Sequence, residues 1–367
     1  MRICQRSGVL KKLILLSNLK PGMITAEDVY SHSGQLILAK GLPLTDQSIT
    51  RLDSYSIMAV KIEEAETPPE PAPTKLSYSE RVKRSPEFLE FKTSFDATLT
   101  EFKDSINDIV QKGSPINTDA ILEDTLSLLN TSHGHVNIFD MLQNMRQYDD
   151  LTYAHCLNVG LICNVFAGWL HMNEEDIRLA TLCGVFHDIG KLSIPDSIVK
   201  KPDKLTDQEY NLIKTHTLEG YRNLRDQDID EHIKNAALMH HERCDGKGYP
   251  FGLPIDKIDK FAKIVAIADV YDAMTAARVY RGALCPFRVI EIYEKEGLQR
   301  YDPQYIITFL ENVVLTYLNS EVRLSDGRIG KIVFVNKDYL SKPTIQLEDG
   351  TFLDLSKETD LSIDTIL

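Results

Sequence analysis

Seven side chains within one stretch of this sequence could hold metal: His155, the His187-Asp188 pair, His216, the His240-His241 doublet and Asp269. Imidazole nitrogens and carboxylate oxygens together suit Fe, Mn, Co, Ni or Zn. No thiol accompanies them, which argues against a structural zinc site. His187-Asp188 closes an apolar run, LCGVFHDIGKL, that breaks at Gly190. Burying an acid beside a histidine has a desolvation cost, and a divalent cation offsets it by taking both as ligands. Asp269 lies inside IVAIADVYDAM, where an unpaired carboxylate would be costly. His155 falls on the apolar face of the preceding helix. A lone histidine on such a face is ordinarily a satisfied core residue; five of them with two buried aspartates need another explanation.

One metal cannot use seven protein ligands and still keep a place for water. Two metals bridged by a carboxylate can, and Asp188 is the natural bridge. Set about 3.5–4 Å apart, they would hold a metal-bridging hydroxide and grip both the attacked phosphate and the leaving oxygen. The chemistry expected of such a binuclear centre is hydrolysis of a phosphodiester.

The elements that must position these residues follow from hydrophobic period. Helical apolar stripes run through 151–170, 174–186, 207–224, 231–241, 261–276, 286–297 and 303–318. Thr206 and Glu209 have the spacing of a capping box. Pro286 and Pro303 stand where prolines open helices. No strand–helix alternation occurs, so a parallel sheet is not expected. The fold class is therefore mainly α: an all-helical catalytic domain over 117–320, flanked by two β-rich pieces. Residues 1–63 form a small β-rich domain, with a hairpin over 29–38, a short helix over 45–52 and a strand over 57–62. Prolines at 68, 69, 71 and 73 make 64–78 a stiff linker. Within 79–116, apolar residues at Phe88, Phe91, Phe95, Leu99, Phe102, Ile106 and Ile109 predict one long amphipathic helix over 79–111. Its second reading, besides packing on its own domain, is a homodimer contact. Residues 321–367 read as a small β appendage, with Asp326-Gly327 and Asp349-Gly350 at hairpin turns.

The 367 residues carry a formal charge of −13, which excludes a bulk nucleic-acid or anionic-membrane binder. Six scattered cysteines with no CxxC pair, no apolar run long enough to span a bilayer and no signal-peptide layout point to the cytoplasm.

His187-Asp188-Ile-Gly-Lys191, then His216, then HHERCDGKGYP over 240–250, resembles the HD-GYP subfamily of the HD phosphohydrolases. The resemblance covers roughly 125–320. His-Asp alone is a weak signal, but the ordered set ending in Gly248-Tyr249-Pro250 is specific. It implies an all-α domain, two or three metals, and hydrolysis of cyclic di-GMP to the linear dinucleotide pGpG or on to GMP. Carried over by position, His155, His187, Asp188, His216, His240, His241 and Asp269 match metal ligands. Lys191 matches the lysine on the scissile phosphate, with Asp188 sharing the catalytic role. Arg278 and Arg281 match phosphate contacts, and Tyr249 the tyrosine beside the guanine. Members with three metals carry a glutamate four residues before the first histidine; here that position is Leu151, which cannot bind metal. The expectation is therefore two divalent ions, iron or manganese first, with nickel, cobalt or zinc compatible, and the second cleavage to GMP is put in doubt.

Blander readings stand beside these. The 245–250 run is a turn by composition alone. Arg278 and Arg281 read equally as surface charges. Cys244 reads as a spacer, with an oxidation-sensitive thiol as its alternative. His133, His135, His171 and His232 are assigned no role. A catalytically weak nucleotide sensor, and a hydrolase of another cyclic dinucleotide or nucleotide, are the alternative functions; intact His187, Asp188 and Lys191 argue against the first.

Overall fold

The computed structural model describes residues 11–16, 19–30, 36–55, 57, 59–63, 78–130, 138–145, 151–201, 203–276 and 284–367. They fall into two units, Met1–Lys75 and Leu76–Leu367. The first contains β1 (Lys11–Leu15), β2 (Val29–Tyr30), β3 (Leu36–Leu38), α1 (Asp46–Ser54) and β4 (Ala59–Glu63). β1 pairs antiparallel with β4, and β2 with β3. Leu19, Val29, Ile37, Leu44, Leu52, Val60 and Ile62 form its small core. The tip of the β2–β3 hairpin and nearly all of the proline segment lie outside the described residues.

The second unit opens with α2 (Tyr78–Arg84), α3 (Pro86–Lys112), α4 (Thr118–Asn130) and α5 (Ile138–Asn144). The site-bearing helices follow: α6 (Leu151–Trp169), α7 (Glu174–Phe186), a 3-10 turn (Ile189–Ser193), α8 (Asp196–Val199), α9 (Asp207–Lys214), α10 (His216–Leu224), α11 (Glu231–Met239) and α12 (Lys260–Thr275). α13 (Pro286–Arg300) and α14 (Pro303–Leu315) complete the helical part. No strand occurs among the described residues between 78 and 320. No helix among the described residues is long and apolar enough to cross a membrane.

Two expected helices are each broken in the structure. The helix over 79–111 stops and restarts at Ser85. Its hydroxyl accepts a hydrogen bond from the Phe88 N–H at 3.1 Å, and Pro86 takes the first helical position, where no N–H is needed. The apolar stripe from Phe88 to Ile109 is buried in the core that α3 shares with α4 and α6. The face that suggested a homodimer is thus covered within the chain. The helix over 207–224 breaks at Thr215, so that His216 begins α10. The capping box does start α9: the Glu209 N–H donates to Thr206 Oγ1 at 3.3 Å, and the Thr206 N–H to the Glu209 carboxylate at 2.8 Å.

The C-terminal strands are β5 (Glu321–Leu324), β6 (Ile329–Phe334), β7 (Thr344–Leu347), β8 (Phe352–Asp354) and β9 (Ile363–Ile366). They form one antiparallel sheet in the order β8-β7-β6-β5-β9. Gly327 and Gly350 sit in its turns at φ +89° and +85°, conformations that favour glycine. β9 was not expected from the sequence. Val322, Leu324, Ile332, Ile345, Leu355 and Ile363 bury their side chains in the same core as the helices.

Candidate metal centre

Close backbone contacts bring the site elements together. α6 and α7 meet at Gly160 and Gly184: a Cβ on Gly184 would lie 2.8 Å from the Gly160 Cα. That crossing sets His155 on α6 against His187, the residue capping α7. The 3-10 turn after Asp188 then meets α10 through Gly190, where a Cβ would fall 1.9 Å from the His216 carbonyl oxygen. His240 and His241 follow directly on α11, and α12 carries Asp269 and Asp272 one turn apart. His187, Asp188, His216, His240, Asp269 and Asp272 are buried, while His155 and His241 are partly exposed.

Three of the histidines are oriented alike. Nδ1 of His187 donates to the Gly184 carbonyl at 2.7 Å, and Nδ1 of His216 to the Ile213 carbonyl at 2.7 Å. Nδ1 of His240 donates to the Ala236 carbonyl at 3.0 Å. A proton on each Nδ1 leaves a lone pair on each Nε2, and all three Nε2 atoms turn inward on Asp188. Its two oxygens divide the cluster. Oδ2 lies 3.4 Å from His187 Nε2 and 3.7 Å from His155 Nε2. Oδ1 lies 3.3 Å from His216 Nε2 and 3.7 Å from His240 Nε2. Two triads result, His155-His187-Asp269 and His216-His240-His241, each with ligand atoms within 4.8 Å of one another, and a third such group, His187-Asp188-His240, links them through Asp188. Asp269 joins them loosely, 2.9 Å from His155 and 4.0 Å from His241.

These residues fit divalent cations and fit little else. The Nε2 atoms of His216 and His240 face each other at 3.2 Å, and with each Nδ1 proton given to a carbonyl neither neutral ring has one to place between them. His187 Nε2 and Asp188 Oδ1 are buried without a hydrogen-bond partner. Buried polar atoms are nearly always satisfied, so such a convergence of lone pairs is costly unless a cation occupies it. Charge states agree. Burial lowers the pKa of His187 and His241, and lowers that of His216 to about 3, which keeps these rings neutral, the form that can bind a cation. Burial works against ionisation of Asp188, yet Lys191 and His187 hold it well below the usual carboxylate range. Asp269 is held low by His155 against the same burial penalty.

Around this centre, Lys191 reaches back from the 3-10 turn to pair with Asp188, and Asp188 and Asp269 outweigh burial to raise its pKa. Tyr249 lays its ring 4.7 Å from that of His241, at an angle of 30°. Leu151 begins α6. Arg278, Arg281, His133 and His135 lie outside the described residues. His171 sits exposed just past α6, and His232 pairs with Asp259 at 2.6 Å, away from the site. Burial raises the Cys244 thiol pKa, so its thiolate is suppressed.

Two residues escaped the sequence reading. Asp272 Oδ2 accepts the Nδ1–H of His155 at 2.7 Å, which turns His155 Nε2 toward the ligands. A carboxylate behind a ligating histidine fixes its tautomer and raises its basicity. The signal was present: a second aspartate three residues after Asp269, in the same apolar run. Glu242, buried, accepts from the backbone N–H groups of Phe251, Gly252 and Leu253 at 2.7, 3.2 and 2.9 Å. It thereby fixes the loop that carries Tyr249. Gly248 is the inner turn of that loop, where a Cβ would fall 2.4 Å from the Glu242 Cα.

Comparison with known proteins matches residues 136–305 to the family described as the HD domain, a span that contains all seven candidate ligands. A Pseudomonas aeruginosa protein named as a cyclic di-GMP phosphodiesterase is 30% identical over 315 residues, 84% of this chain and 71% of that protein. A cyclic di-GMP phosphodiesterase response regulator of Xanthomonas campestris is 37% identical over 166 residues, 44% of this chain and 43% of its own length. A 3'3'-cGAMP-specific phosphodiesterase of Vibrio cholerae is 38% identical over 162 residues, 44% of this chain and 38% of its own. The chain thus spans less than half of the latter two.

Proposed function

The chain belongs to the HD-GYP family of HD-domain proteins, and on that premise we propose that it is a metal-dependent phosphodiesterase hydrolysing cyclic di-GMP to pGpG. The observation that carries the reading is the division of Asp188, one oxygen toward each histidine triad. His155, His187 and Asp269 would hold one ion, His216, His240 and His241 the other, and Asp188 both. Two bound ions would supply an activated water and neutralise charge on the attacked phosphate.

The chain's own residues do the rest. Lys191 carries a compact positive charge paired with Asp188 and would take a non-bridging phosphate oxygen. The Tyr249 face, fixed by Glu242, offers a stacking surface for a base. Asp272 keeps the His155 lone pair on the metal side. Arg278 and Arg281 remain candidates for the phosphates.

The test loads purified protein anaerobically with iron or manganese, adds cyclic di-GMP and separates the nucleotides. pGpG is expected, and H187A and D188A should abolish it. Turnover no greater than in those variants would refute the reading. Metal analysis should give two equivalents per chain; three would overturn the assignment that follows from Leu151.

A further inference from the structure

We propose that Lys214, held between the rings of Tyr210 and Tyr249, reads the edge of a substrate base and sets a preference for guanine over adenine. The inference rests on the centre's being a cyclic dinucleotide phosphodiesterase. Lys214 ends α9 and is half-buried. Its Nζ lies 5.1 Å from the ring centre of Tyr210, one turn back on the same helix, and 5.9 Å from that of Tyr249. Tyr249 stands in turn 4.7 Å from the His241 ring and 6.4 Å from that of His216. The ammonium is therefore one ring away from the ligands of the second triad. Among the described residues it pairs with no carboxylate, although the chain carries a formal charge of −13. Aromatic faces attract such a cation without neutralising it.

The surroundings suit a base. Tyr210 is 51% exposed, so an aromatic face stands open beside the charge. Aromatic side chains stack on any base; discrimination needs a polar group at the base edge. An ammonium has three donors and no acceptor. Guanine offers it two acceptors, O6 and N7, whereas adenine places an amino donor where O6 would be. A phosphate contact is the competing use of this lysine. Lys191, on Asp188, already supplies a cation at the scissile position, and the aromatic flanks of Lys214 favour the base.

The experiment compares wild type with K214M, which keeps the apolar stem without the charge, and K214Q, whose amide both donates and accepts. With manganese-loaded protein, kcat/KM is measured for cyclic di-GMP, 3'3'-cGAMP and cyclic di-AMP. Wild type should favour the substrates in order of guanine content. K214M should shrink the ratio of cyclic di-GMP to cyclic di-AMP by about tenfold, and K214Q should shrink it at least as far, with 3'3'-cGAMP between. An equal fall for all three substrates, as a phosphate contact or a general loss of fold would give, overturns the inference, as does an unchanged ratio in both variants. Wild type that cuts no cyclic dinucleotide would instead sink the underlying function.

Discussion

Loading the centre with metal should expel a proton from His155, and D272N should remove most of that release. Both ring nitrogens of His155 contact carboxylates: Nδ1 meets Asp272 at 2.7 Å and Nε2 meets Asp269 at 2.9 Å. Burial opposes the charged ring, but these hydrogen bonds and charges outweigh it and raise the pKa to about 9. A raised pKa means the metal-free protein holds this proton at pH 7 and loses it only as pH climbs through about 9. A metal must displace it, since only the neutral ring ligates. Two units of displacement cost about 3 kcal/mol, or about a hundredfold in affinity, at pH 7. The competition weakens about tenfold per unit as pH rises and ends near pH 9. His187, His216 and His241 have lowered pKa values, so they enter neutral and release nothing. Replacing Asp272 by Asn removes one of the two carboxylates that hold the proton. Titration of metal-free protein with Mn2+ at pH 7.5, in two buffers of different ionisation enthalpy, counts the protons. The centre's own chemistry adds others, so the readout is the difference between wild type and D272N, expected to approach one. Equal release from the two proteins, or a wild-type Mn2+ affinity flat between about pH 6.5 and 8.5 where this competition should act, would refute the reasoning.

Two further outcomes follow from the packing. E242A should lower stability by about 3 kcal/mol, because three backbone donors lose a buried acceptor. It should raise KM for cyclic di-GMP while metal content holds; thermal melting and kinetics check both, and an unchanged Tm with unchanged KM would count against the clamp. G190A should force the 3-10 turn away from α10, since the new Cβ would fall 1.9 Å from the His216 carbonyl oxygen; metal analysis should show less than the wild-type content, and full loading would show that the contact can relax.

Much of the helical part was legible because its cues are local. The stripe over 174–186 and the Thr206–Glu209 capping box needed only side-chain period and hydrogen-bonding type, and α7 spans Glu174–Phe186. The break at Ser85 was written in Ser85-Pro86, a cap followed by a proline, but the uninterrupted apolar stripe beyond it masked the signal. β9 was missed because its strand is stabilised by pairing with β5, about forty residues earlier, a long-range contact that local composition does not encode. In the site, histidines stood out by type against an apolar background. Asp272 stood in the same apolar run as Asp269, but its partner, a ring nitrogen on α6, is defined only once the chain is folded; Glu242 carried no such signal, and its partners are backbone N–H groups nine to eleven residues onward.

The break at Thr215 belongs to the chemistry of the site. The last carbonyls of a helix have no intrahelical partner. His187 and His240 stand one residue past the ends of α7 and α11, and their Nδ1–H groups donate to last-turn carbonyls: His187 to Gly184, and His240 to Ala237 and to Ala236, which also accepts the His240 backbone N–H. His216 does the same with Ile213, in the last turn of α9, whose carbonyl also faces the Thr215 N–H. A continuous helix over 207–224 would direct the Ile213 carbonyl to the N–H of Thr217; the break turns it toward the ring instead. A lone pair on Nε2 is what a metal ligand needs, and a positioned ligand needs its rotamer locked by a second group. Each of these three histidines gets both from the backbone of its own preceding helix. No additional side chain is buried to orient them. Only His155, in mid-helix where every carbonyl is taken, requires a carboxylate, and Asp272 provides it.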